Sequence, residues 1–128
     1  MAHMMQTELT AKRFESPDET REFTDGKGRA ELVRIGDHTA SRSTFKPGWQ
    51  WSINIKPLVH TESCEVFHLG MVQEGRMRIT MDNGDALEVG PGDVFEIPPG
   101  HDAEVIGDAD CVLIDFGDMS EYAQPRTD

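Results

Sequence analysis

The chain is short of basic residues. Its 128 residues include 12 Lys and Arg against 24 Asp and Glu, which gives a formal net charge of −12. Residues 82–121 carry twelve acidic side chains and no Lys or Arg. A protein that binds nucleic-acid phosphates or an anionic membrane surface needs a basic stripe. The charge pattern therefore argues against both kinds of partner.

Long apolar runs and cysteines are also scarce. The longest unbroken apolar run is residues 111–114, whereas a bilayer-spanning helix needs about 20 residues. No apolar segment typical of a signal peptide follows the N-terminus. Residues 1–4 are typical of a cloning remnant, so His3 is not a candidate site residue. With only Cys64 and Cys111, we expect a cytoplasmic protein with reduced thiols.

Turn-forming residues are abundant, with 12 glycines and 7 prolines. Between the turns, a strand-like pattern recurs in about eight short segments. These segments are residues 30–35, 39–45, 63–73, 76–81, 86–89, 94–97, 103–106 and 111–116. No amphipathic helix of 10–15 residues separates them, which predicts an all-β sandwich or barrel rather than an α/β fold.

The length favours one domain, because it is below a unit of about 150 residues. We expect the barrel over residues 29–118, an N-terminal extension over 1–28 packed along its outside, and a tail over 119–128. Within the extension, Ser16 followed by Pro17 and Glu19 predicts the start of one or two helical turns.

Two stretches resemble the paired motifs of the cupin superfamily, which read G-x5-H-x-H-x3-4-E-x6-G and G-x5-P-x-G-x2-H-x3-N. The second motif is matched by Gly92, Pro98 and Gly100, and the first closes on Gly75. The resemblance implies an all-β cupin barrel, also called a double-stranded β-helix or jelly roll, with motif residues pointing inward around a divalent metal.

The ligand positions of these motifs are altered here. Counting back from Gly75 places His68 where the family usually has Glu, and places Glu62 and Cys64 at the two histidine positions. Other motif positions are also changed, namely those at Lys56, Ala103 and Gly107. His101 is the histidine nearest the second motif's ligand position, and it keeps the strand parity of that position.

The resemblance implies a metal site made of Cys64, His68 and His101, with Glu62 as a fourth ligand. His60 shares the strand parity of Glu62 and could replace it, but the spacing of the family motif disfavours His60. These donor types favour zinc or iron over manganese. Cys64 and His68 share one strand face, but a straight strand would hold them roughly 13 Å apart. Shared metal binding therefore requires a bend, which the family supplies.

Two functions remain open at this point. One is a metal-dependent enzyme acting on a small organic molecule, with its catalytic residues unknown. Glu62 and Glu96 are candidate bases by charge alone. The other is a non-catalytic small-molecule-binding or sensor cupin without metal. In either case, Trp49 and Trp51 are candidates for the wall of a ligand pocket.

Three further expectations concern residues outside the motifs. The apolar face of Phe67, Leu69 and Met71 predicts a homodimer. Cys111, inside an apolar run, is expected to be buried in a strand. Asp115 is expected to belong, with the acidic residues after it, to a solvated tail.

Overall fold

The computed structural model describes residues 8–125, so residues 1–4 and His3 lie outside the described part. Within it there are nine strands, two one-turn α-helices and a short 3-10 helix (Thr24–Gly26). The strands are β1 (Glu19–Glu22), β2 (Gly28–Ile35), β3 (His38–Phe45), β4 (His68–Glu74), β5 (Arg76–Met81), β6 (Ala86–Val89), β7 (Val94–Ile97), β8 (His101–Ile106) and β9 (Cys111–Asp115). The helices are α1 (Trp51–Asn54) and α2 (Lys56–Val59).

The strands form two antiparallel sheets, which confirms the all-β prediction. The larger sheet has the order β1-β2-β3-β9-β4-β7 and the smaller has β6-β5-β8. Side chains alternate between inside and outside as expected for half-buried strands. In β5, for example, Met77 and Ile79 are buried while Arg76 and Arg78 are exposed. The buried faces of both sheets contribute to one core.

The N-terminal extension departs from the predicted helical turns. Instead of a helix capped by Ser16, Glu19–Glu22 forms the edge strand β1, in which Glu19 pairs with Leu32 of β2. The local cap signal was wrong because pairing with the open edge of β2 offers this segment a continuous hydrogen-bond ladder. Earlier in the extension, Phe14 and Glu15 contact Arg42 on the outer face of β3.

The predicted strand over residues 63–73 is shorter than expected. β4 begins only at His68, and residues 65–67 are not extended strand. Cys64 makes a single isolated bridge, to His101. The helices α1 and α2, which no sequence pattern indicated, come just before this segment. In the first of them, the backbone N–H of Gln50 donates to Asn54 Oδ1 at 3.0 Å, which closes the turn.

The outer face of the larger sheet exposes apolar side chains where β7, β4 and β9 meet. Leu69 and Met71 are partly exposed there, beside Val94 and Phe116. The homodimer stays a prediction, and the mass of the protein in solution at micromolar concentration tests it. No helix among the described residues has the length and apolar character that crossing a membrane requires.

Candidate metal centre

Three buried side chains of the predicted ligand set converge at one end of the barrel. Cys64, His68 and His101 each place one ligand atom within 4.8 Å of the other two. The Cys64 Sγ and His68 Nε2 atoms are 3.8 Å apart. Ligand atoms around one tetrahedral zinc lie about 3.3–3.6 Å apart. Small side-chain shifts would therefore bring all three onto one ion.

The three residues come from different parts of the fold. His68 opens β4 in the larger sheet and His101 opens β8 in the smaller one. Cys64 connects to the smaller sheet through its backbone, donating from N–H to His101 O at 2.7 Å and accepting from Gly100 N–H at 2.7 Å. A straight strand would hold Cys64 and His68 roughly 13 Å apart. Here the chain bends over residues 65–67, and the Cys64 Sγ and His68 Nε2 atoms lie 3.8 Å apart. That bend makes a shared ligand position geometrically accessible.

Asp115 fixes the orientation of the His68 ring. Its Oδ2 lies 2.7 Å from His68 Nδ1, and its Oδ1 accepts backbone N–H groups from Leu69 at 3.2 Å and Gly117 at 2.8 Å. With the carboxylate as acceptor, the Nδ1–H of His68 donates, and Nε2 is left facing Cys64. Such carboxylate–histidine pairs are the usual support of metal-bound imidazole.

The expectation that Asp115 belongs to a solvated tail was wrong. Asp115 is 2% exposed. It is the last residue of β9, which pairs with β4, and it lies opposite Gly70 near the start of that strand. This close packing needs glycine at two points. A Cβ at Gly70 would collide with the Ile114 carbonyl oxygen, and one at Gly117 would collide with the Phe67 carbonyl oxygen.

The turn between β7 and β8 orients His101. Its Nδ1–H donates to the carbonyl oxygen of Pro98 at 2.8 Å, so Nε2 is the nitrogen left for a ligand role. Burial, together with the neighbouring His68, lowers the pKa of His101. The imidazole is therefore neutral at neutral pH, which is the form that binds metals.

Burial has the opposite consequence for the cysteine. It raises the pKa of the Cys64 thiol to about 12, so the protein without a metal holds a neutral thiol there. A coordinated divalent cation deprotonates a thiol outright. Metal binding at this centre would therefore release a proton, and the affinity would increase with pH.

Two cavities adjoin the centre. The inner one, inside the barrel, has a volume of about 30 Å³, which is room for one water-sized molecule. The outer one has a volume of about 560 Å³ and lies between the segment around α1 and α2 and the C-terminal segment. Trp51, Cys64 and Tyr122 line both cavities.

The remaining predicted site residues lie elsewhere. The Glu62 side chain is 99% exposed and 3.9 Å from Lys56 Nζ, so the structure does not bring it to the cluster. His60 ends α2 in a left-handed conformation and is exposed. Glu96 points outward from β7. A fourth protein ligand is therefore not supplied by any of these three.

The two tryptophans are both buried, each 2% exposed. Trp51 lines the outer cavity as well as the inner one. Trp49 packs against Phe45, with ring centroids 4.4 Å apart, and borders only the inner cavity. Of the two candidates for a pocket wall, Trp51 is therefore the one in contact with space large enough for a ligand.

Tyr122 is a site residue that the sequence reasoning missed. Its ring meets the His68 ring edge-on with centroids 5.4 Å apart. Burial, followed by the nearby Cys64 and Asp115, raises the pKa of Tyr122 well above its usual value. The phenol is therefore neutral and able to donate a hydrogen bond. It is the only tyrosine of the chain, but no pattern around it indicated a contact with the barrel.

A scan against models of known protein families found no match. A search of curated proteins also found none. Solved structures do resemble the chain. An RmlC-like cupin from Shewanella frigidimarina NCIMB 400 is 20% identical, with 88% of this chain and 94% of that chain covered and a TM-score of 0.57.

Two more similar structures agree with it. A protein with a double-stranded β-helix domain from Klebsiella pneumoniae is 16% identical, with 95% of this chain and 94% of that chain covered and a TM-score of 0.57. A sugar phosphate isomerase from a cupin superfamily, from Silicibacter pomeroyi, is 20% identical. It has a TM-score of 0.56, with 92% of this chain and 76% of that chain covered. The chain therefore has the cupin, or double-stranded β-helix, fold that its glycine and proline framework predicted.

Proposed function

We propose that this cupin binds one divalent transition metal through Cys64, His68 and His101. One observation carries the proposal: three buried ligand atoms lie within 4.8 Å of one another. The second nitrogen of each imidazole is already engaged, by Asp115 and by the Pro98 carbonyl. The free Nε2 of His68 lies 3.8 Å from the Cys64 sulfur, an arrangement that merely filling a core does not require.

The donor set indicates the class of metal. A thiolate with two imidazoles suits zinc or iron, whereas manganese and magnesium prefer carboxylate and carbonyl oxygens. The usual cupin set implied by the resemblance, three histidines and one glutamate, is replaced here by a smaller and softer set. Asp115 supports this set from behind by fixing the tautomer and the orientation of the His68 ring.

Three protein ligands leave one position for a water or a small organic ligand. A bound metal would supply Lewis-acid activation of that ligand. The chain's own contribution is a small, mostly apolar inner cavity, in which the Tyr122 ring lies edge-on to the His68 ring with centroids 5.4 Å apart. Because its pKa is raised, the Tyr122 phenol would donate a hydrogen bond to an oxygen atom at the centre rather than accept a proton.

We infer that the metal serves an enzymatic reaction on a small organic molecule. The second candidate is a binding or sensor module. It is favoured by the positions of the carboxylates, since Glu62 and Glu96 both point outward and the buried Asp115 carboxylate is already engaged by His68. Both candidates need the outer cavity, and only the enzyme needs the metal.

Metal content tests the proposal. The tag-free protein, Cys64→Ser and the control Cys111→Ser are purified from medium containing zinc and iron and measured by plasma mass spectrometry. We expect about one metal per chain in the wild type and in Cys111→Ser, and none in Cys64→Ser. A folded wild type that holds no metal and takes none up, or a Cys64→Ser protein that keeps its metal, would overturn the proposal.

A further inference from the structure

The outer cavity is a built pocket of the size that small-molecule sites have. Its volume of about 560 Å³ falls within the usual range of about 300–1,000 Å³. One wall is apolar and comes from the segment around α1 and α2; the other comes from the C-terminal segment. The lining includes Trp51, Ile55, Val59, Val66, Ala123 and Pro125.

The pocket ends at the metal centre. Cys64 and Tyr122 line it on one side and line the inner cavity on the other. A molecule that fills the outer cavity therefore lies against the residue proposed as the thiolate ligand. The other two residues of the proposed metal set, His68 and His101, border only the inner cavity.

The C-terminal wall is held in place by a buried arginine. Arg21 of β1 is 6% exposed and donates from Nη1 to the carbonyl oxygens of Tyr122 at 2.7 Å and Met119 at 3.4 Å. Glu19 orients its guanidinium, with Nε and Oε2 2.6 Å apart. The wall is thus fixed before any ligand arrives, which reduces the entropic cost of binding.

The described residues that line the pocket carry charge of one sign only. Among the lining residues that the structure describes, the only ones charged at neutral pH are Glu65 and Glu121, both exposed at the rim. Glu65 also accepts a hydrogen bond from Ser63 Oγ at 2.9 Å. An anionic ligand here would face two carboxylates, and juxtaposed like charges disfavour binding. An ammonium group would be attracted by both.

We propose that the outer cavity binds a small organic amine, with its apolar body against Trp51 and Val66 and its ammonium group at the rim between Glu65 and Glu121. Carboxylates and phosphates are selected against. The placement of the ligand beside a metal rests on the proposed function, whereas the charge selectivity rests on the cavity alone.

Two probes of the same shape and opposite charge test this selectivity. Binding of 2-phenylethylamine and of phenylacetate to the purified full chain is measured by isothermal titration calorimetry. We expect the amine to bind about tenfold more tightly, because exposed charge pairs contribute modestly and two act together. The double variant Glu65→Gln with Glu121→Gln should bring the two affinities together.

Two control variants locate the effect. Glu74→Gln with Glu96→Gln removes the same charge from exposed residues that do not line the cavity, and should leave the ratio of affinities unchanged. Val66→Trp fills the half-buried side of the cavity and should abolish amine binding. Equal affinities in the wild type, no binding of either probe, an unchanged ratio in the rim variant, or amine binding that survives Val66→Trp would each overturn the proposal.

The same titration on Cys64→Ser separates this proposal from the metal proposal. Selectivity retained in that variant would support the amine pocket even if the wild type held no metal. Conversely, a metal-loaded wild type without charge selectivity would overturn the amine pocket and leave the metal centre intact.

Discussion

The surroundings of the two cysteines differ in one respect that decides which of them belongs to a site. Cys64 and Cys111 are both free and buried, and burial raises the pKa of each thiol to about 12. Cys64 has two imidazoles beside it. Cys111 opens β9, where it pairs with Phe45, and both cysteines belong to the apolar core. The two cysteines are therefore alike in their burial and in the raised pKa of their thiols. Only the neighbouring imidazole nitrogens distinguish Cys64, the candidate ligand, from Cys111.

The backbone around each cysteine explains the difference. Cys111 lies in a regular strand, in which neighbouring side chains on one face are held several ångströms apart. Cys64 lies just before the bend over residues 65–67, outside the ladder apart from its single bridge to His101. Irregular backbone is what lets a sulfur atom approach two histidines that open different strands.

Removal of the metal should give the largest difference in stability between variants of the two cysteines. In the wild type and in Cys111→Ser, a chelator should lower the free energy of unfolding by about 2.7 kcal/mol if the free metal had been at 100 times its dissociation constant. In Cys64→Ser the chelator should change nothing. Urea unfolding with and without chelator measures both effects. Equal sensitivity of the two cysteine variants would contradict the assignment.

Loss of the Asp115 carboxylate, which orients the His68 ring, should have the next largest effect, a decrease in metal affinity. In Asp115→Asn, the amide oxygen can still accept the Leu69 and Gly117 N–H groups, but the amide NH₂ faces His68 Nδ1. The imidazole then carries its proton on Nε2 and cannot bind a metal through that atom. We expect metal affinity to fall about 10–100-fold, measured by competition with a chromophoric chelator.

Asp118→Asn is the matched control for that variant, because Asp118 is exposed and three residues further along the chain. Its metal affinity should equal that of the wild type. An Asp115→Asn protein with unchanged affinity would show that the Asp115–His68 contact is only structural.

The effect expected at neutral pH is smallest for Cys111, whose contribution to stability changes only at alkaline pH. Its folded pKa of about 12 lies above the ordinary value of 9.0. The unfolded chain therefore loses this proton first as pH rises. The stability that Cys111 contributes is complete below pH 9 and declines between about pH 9 and pH 12, by about 1.4 kcal/mol per pH unit at most.

The comparison with Cys111→Ala isolates that contribution. Between pH 8 and pH 10.5, urea unfolding should show the wild type losing more stability than the variant. A difference between the two proteins that stays constant over this range would mean that Cys111 titrates normally, and hence that water reaches it in the folded state.

Much of the barrel could be predicted from local signals. Turn residues delimit most strands, as Asp82, Asn83 and Gly84 do between β5 and β6, and alternation marks which side chains face inward. β1 escaped prediction because it exists through pairing with β2 rather than through its own pattern. The local signal at Ser16 indicated a helix instead, and no local rule could weigh the two.

The candidate site was predictable only in part. The motif resemblance pointed to Cys64, His68 and His101, but it also pointed to Glu62, which the structure leaves in solvent. Asp115 could not be paired with His68 from sequence, because 47 residues separate them and sheet order alone brings them together. Tyr122 likewise reaches the centre through tertiary contacts, because the C-terminal segment packs into the core and Arg21 bonds its backbone.

Titration with Co²⁺ addresses the ligand role of Cys64 most directly, because a thiolate bound to cobalt gives a charge-transfer band in the near ultraviolet that imidazoles do not. The band should grow to one equivalent in the wild type and in Cys111→Ser, with release of a proton, and should be absent in Cys64→Ser. A band of equal strength in Cys64→Ser, or no band in the folded wild type, would contradict a metal centre built on Cys64.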